Sequence, residues 1–114
     1  MSDDDIKFNE VDISNGLQIV RQLQVQRYDK IYQDLSGVGV GLIAQEILLI
    51  NDLQFTVSIE NGHPYLVNYT PILCYGLAAI KELDTVVATQ QTTIATLQAQ
   101  LIALEARVAT LEGN

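Results

Sequence analysis

One cysteine, Cys74, leaves this chain no intrachain disulfide. With His63 as its single histidine, a zinc ion would lack its usual ligand set. No metal and no cofactor is therefore expected. Basic residues are also scarce, with 6 Lys and Arg against 14 Asp and Glu, giving a net charge of −8. Without a basic stripe, nucleic-acid binding through phosphate contacts is excluded as a function class. An anionic membrane surface repels such a chain as well. Long apolar runs are missing. The most apolar stretch, Val38 to Ile50, is interrupted by Gln45 and Glu46 and stopped by Asn51-Asp52, well short of a membrane span. The N-terminus, Met1-Ser2-Asp3-Asp4-Asp5, is acidic where a signal peptide would be basic and then apolar. A soluble protein is predicted, its charge serving solubility and the spacing of monomers before assembly.

What is present is apolar enough to fold: 48% of the 114 residues, one domain's worth of chain. The last thirty or so residues, however, form one repetitive helical tail. The remaining eighty or so are too few for a generous core. Such a chain needs partner subunits to finish burying its apolar surface.

Along the chain, residues Met1 to Val11 are acidic and irregular. Ser14 reads as an N-cap before Leu17, Ile19, Val20 and Leu23, a short helix ending near Gln24. Val25 to Tyr32 reads as a strand, with β-branched and aromatic residues among polar ones. Gly37, Gly39 and Gly41 alternate with Val38 and Val40, which predicts a strand approached closely by other backbone. Leu42 to Ile50 reads as a short apolar helix. Phe55 to Ile59 alternates with period two, and Asn61-Gly62 precedes Pro64 to Tyr69. Asn-Gly between two such runs predicts a β-hairpin over residues 55–69. His63 flanks the turn and takes a structural reading. Thr70-Pro71 is a helix start, a hydroxyl cap before a proline, and a helix of about forty residues follows.

The tail carries the strongest pattern. With Val87, Ile94, Leu101 and Val108 as heptad a positions, Leu83, Gln90, Leu97, Leu104 and Leu111 are the d positions. Eight of the ten Val, Ile and Leu residues in 83–112 lie on this seam, and only Val86 and Ile102 stray. A period of about 3.5 held for four heptads implies a left-handed coiled coil. Arg107 (g) and Glu112 (e) face each other across neighbouring chains only in a parallel arrangement. Val or Ile at a with Leu at d leans toward two chains. The uncharged flanks at Val86, Gln91, Thr93, Gln98 and Gln100 widen the seam and suit three. The heptads alone leave two and three chains nearly tied. Gln90 places an amide in one layer, which costs stability and fixes register.

Four segments, in order and spacing, resemble one known family. They are Ser2-Asp3-Asp4-Asp5-Ile6-Lys7, the helix and Tyr-containing strand from Leu17 to Tyr28, Gly41-Leu42-Ile43-Ala44-Gln45-Glu46, and Asn68-Tyr69 leading to Ala79-Ile80-Lys81-Glu82-Leu83. They are similar to the C-terminal intramolecular chaperone domain of phage tail-spike, tail-fibre and neck appendage proteins, the endosialidase type. Asp5 departs from that pattern, which commonly has Arg there, and Phe8-Asn9-Glu10 replaces a more polar run. The resemblance implies an α+β fold: a head (1–69) with short helix, strands and hairpin, and a long helix (70–114) forming a parallel trimeric coiled coil. It implies a homotrimer whose other partner is the upstream stalk of the same polypeptide. The domain would template the folding of that stalk in the host cytoplasm during virion assembly. It would then cut itself free and be absent from the mature virion. With only Met1 before Ser2, the chain reads as a released or recombinant chaperone without its passenger.

The same resemblance implies catalysis by Ser2 and Lys7. A serine hydroxyl needs a base to become nucleophilic, and a neutral lysine can serve. This would be a single-turnover autoproteolytic dyad, with Gln45 a guess for an oxyanion donor. Set against it, the motif alone is an acidic, mobile terminus whose three carboxylates favour the charged ammonium and oppose base function. Two other readings stand beside the self-cleaving chaperone. One is a purely structural trimerisation module that never cuts. The other is an adaptor recruiting proteins through its long helix, for which Val86 and Ile102 offer a thin apolar basis.

Overall fold

The computed structural model describes residues 2–32 and 35–113. The fold is α+β, with short strands, a hairpin and a long C-terminal helix. The chain divides into two compact units, Met1–Ile80 and Lys81–Asn114.

The first unit opens with exposed, mostly irregular chain and then helix α1, Gly16–Gln22. Asn15, and not Ser14, occupies the N-cap position, and its side-chain amide donates to Asp52 Oδ2 at 2.9 Å. Its side chain makes no cap bond to the helix. Strands β1, Gln26–Tyr32, and β2, Leu35–Gly41, pair antiparallel. In this register Tyr28 stands opposite Gly39 and Gln26 opposite Gly41. A Cβ on Gly39 would lie 2.5 Å from Tyr28 Cε1, and one on Gly41 2.5 Å from the Tyr69 hydroxyl. The glycines therefore make room for tyrosine rings, not for a neighbouring backbone as the alternation suggests. Gly37, at φ 136°, needs its freedom for a different reason, since side chains rarely adopt that conformation.

After β2 the apolar run forms only one turn of helix, α2, Ala44–Ile47, followed by a 3-10 segment at Asn51–Thr56. The predicted strand from Phe55 is overridden at its start. Leu53 and Thr56, three apart, are 0% and 1% exposed, so helical spacing buries this segment where alternation would not. The hairpin survives in shorter form. Strand β3, Val57–Ser58, pairs antiparallel with β4, Leu66–Val67, and the turn passes through Gly62 at φ 80°. Its base is anchored by the Asn68 amide, which donates to Thr56 O at 2.7 Å.

The head core gathers Ile19 of α1, Ile47 and Ile50 around α2, Leu53, and Ile72. Leu23, Leu42, Val57, Val67 and Tyr75 pack against it. Gly16 is buried where α1 meets the long helix. A Cβ there would stand 2.7 Å from both Tyr75 O and Ala79 N, so only glycine admits this approach.

Helix α3 runs Tyr69–Glu112, 44 residues. Its cap is Asn68, whose Oδ1 accepts the Thr70 amide at 3.3 Å. The start thus lies one residue before Thr70, and Pro71 falls in the first turn, where a missing N–H costs nothing. In the second unit the helix buries none of its described residues. The eight aliphatic seam residues are 45% to 73% exposed in the single chain. Thr85, Thr92, Thr93 and Thr110 return their hydroxyls to carbonyls four residues back and so stay satisfied without a partner.

Candidate functional site

The motif at Ser2–Lys7 is built around one 3-10 turn, Asp4–Ile6. Asp3 caps it, its Oδ1 accepting the Asp5 amide at 3.0 Å. The Ile6 amide donates to Asp3 O and the Lys7 amide to Asp4 O, both at 3.2 Å. An aspartate at the second motif position therefore has a local structural reason. Ser2 and Lys7 stand on either side of this turn, and both are exposed. The chain beyond them is exposed too, with Phe8 at 83% and Val11 at 85%. Chemically this places a hydroxyl and an amine at the two ends of one tight bend. The desolvation that a neutral lysine requires has to come from outside these residues.

Gln45 lies exposed on α2, and no described hydrogen bond joins it to Ser2 or Lys7. Its neighbour Glu46 is the more unusual group. Glu46 Oε2 is buried without a hydrogen-bond partner. It borders a pocket of about 10 Å³ beside Gln22, Leu23, Ile43, Ile47 and Ile50, with space for no more than one water. A buried carboxylate oxygen left unpaired is costly. The signal in the sequence was an acidic residue inside the apolar run from Val38 to Ile50, which gave Glu46 no role of its own. His63 is exposed beside the hairpin turn. Among the described residues no cluster of His, Cys, Asp and Glu is arranged to hold a metal ion. Among them, too, no helix is long and apolar enough to cross a membrane.

Residues 2–52, a little under half of the chain, match the sequence profile of the family described as chaperone of endosialidase. These residues are similar to that family. No curated protein matches the chain. The matched span runs from the Ser2–Lys7 turn through α1, the β1–β2 ribbon and α2 to Asp52. It includes three of the four sequence segments that carried the resemblance. The description of that family names a chaperone role.

Proposed function

We propose that the chain is a C-terminal intramolecular chaperone acting as a homotrimer. Three copies bring together the stalk segments of the same polypeptides and template their folding. The work takes place in the host cytoplasm while virions assemble, and the chaperone then leaves the particle. One observation carries this reading: a helix of 44 residues bears an apolar heptad stripe whose eight aliphatic residues are 45% to 73% exposed in the single chain. Isolated helices draw little stability from propensity and most of it from a packed apolar face. Parallel association of three α3 helices supplies that face.

Release follows from the motif turn. Ser2 Oγ attacks the carbonyl carbon of an adjacent peptide bond while the Lys7 amine takes the hydroxyl proton. The C–N bond breaks, the leaving amine receives the proton, and water hydrolyses the resulting ester. Assembly desolvates Lys7 and so couples cutting to trimerisation. The experiment places the chain behind its stalk and compares Ser2→Ala and Lys7→Ala with the parent. Each variant is expected to stay uncut and trimeric. Normal cutting by either one overturns the dyad.

A second reading, a structural trimerisation module that does not cut, draws on the exposure of Ser2 and Lys7 and their three acidic neighbours. It predicts an uncut parent fusion.

A further inference from the structure

An open apolar groove of about 470 Å³ lies in the first unit at the start of α3. Leu23, Val25 and Leu42 line one side, and Tyr69, Leu73 and Gly76 the other. We infer that this groove is a docking site for α3 of a second copy, so that the interchain seam begins at Tyr69 and not at Leu83. The inference rests on the trimer proposed above and adds to it a contact between the head and a neighbouring helix.

Heptad register supplies the first argument. Counting back by sevens from Val87 puts Ile80 and Leu73 at a positions, and counting back from Leu83 puts Gly76 and Tyr69 at d. The groove wall formed by α3 is thus the same stripe that runs down the tail. Leu73 and Ile80 are each 63% exposed and Tyr69 46%, matching the exposure of the seam below.

Gly76 supplies the second argument. A glycine inside a helix or strand costs roughly 0.5–1 kcal/mol relative to alanine. At Gly16, Gly39 and Gly41 that cost has an internal reason, because a Cβ would meet atoms of the same chain. A Cβ at Gly76 would meet nothing within 4 Å. The need for a bare backbone at this d position therefore arises from something outside the chain. A neighbouring helix in the same register brings Leu73 and Leu77, 63% and 54% exposed, to a groove whose lining is almost wholly apolar.

Disulfide trapping tests this on the full chain in a Cys74→Ser background. Leu73→Cys, at an a position in the groove, and Leu97→Cys are oxidised separately, run on non-reducing gels, and weighed in dilute buffer, with Gly76 kept in both. Both are expected to give linked pairs within a three-chain species. The parent chain, with Cys74 at an outward b position, is expected to give none. Linking at residue 97 without linking at residue 73 would overturn the inference and leave the trimer standing. A stalk segment seated in the groove would give that same result by holding the three helices apart. Absence of linking at both positions would overturn the inference and the parallel trimer together.

Discussion

The hydroxyl of Tyr69 accepts the Leu42 backbone amide at 3.0 Å and also lies 3.5 Å from the Leu42 carbonyl. This ties the first residue of α3 to the exit from β2 across 27 positions of sequence. The hydroxyl also stands where a Gly41 side chain would be. Tyr69→Phe should therefore cost about 1 kcal/mol, the net worth of one such bond. Urea unfolding and faster exchange of the Leu42 amide would register it. A Leu42 amide equally protected in both proteins would contradict the assignment.

Gly16→Ala separates propensity from packing. Alanine favours a helix by about 1 kcal/mol over glycine, so on propensity alone the variant should gain stability. The Cβ would instead enter at 2.7 Å from two backbone atoms of α3, which cannot swing aside as a side-chain end can. Overpacking of this kind costs about 1–3 kcal/mol. The expected outcome is a lower urea midpoint, and a rise would show that α1 and α3 do not meet this closely.

The elements legible in the sequence were those whose pattern is local. Strands β1 and β2, the Asn61-Gly62 turn and the long helix each follow from spacing within a few residues. The misread positions were decided by distant partners. Asn15 displaced Ser14 because it meets Asp52, 37 positions away. Phe55 lost its strand because Leu53 and Thr56 are drawn together into the core. Gly39 and Gly41 looked like sites of backbone approach because the rings of Tyr28 and Tyr69 that fill the space are not adjacent in sequence. Of the candidate site, the Ser2–Lys7 spacing was legible, but the 3-10 bend at Asp4–Ile6 was not, since residues 1–11 read as irregular. The buried Oε2 of Glu46 was not, since its burial depends on α1 and on the residues around α2 closing over it.

Gln90 tests the tail. As the one polar residue at a d position between Leu83 and Leu111, it carries an amide into the layer that three helices would close. An imperfectly paired buried amide costs about 1–3 kcal/mol. Gln90→Leu should raise the melting temperature of the assembly and make it more resistant to dilution, while loosening its register. Circular dichroism melts at several concentrations would measure the gain. An unchanged, concentration-independent melt would mean that residue 90 faces solvent and that no seam exists there.

The hairpin tip tests the chaperone role apart from assembly. Deleting all of 56–66 would remove Thr56, which is 1% exposed and donates to Leu53 O at 2.7 Å, and Val57, which packs on the core. A narrower cut avoids both. Ser58 and Leu66 are directly paired, so replacing 59–65 with Asn-Gly closes β3 and β4 through a two-residue turn suited to that register. Ile59 and Tyr65 are 56% and 40% exposed, and little of the head core depends on them. The melting temperature and the native mass should therefore stay within error of the parent. If the tip grips the partly folded stalk, a fusion carrying this shortened hairpin should assemble but yield less folded, protease-resistant stalk. Full recovery of folded stalk would instead assign the templating to the head and coil alone.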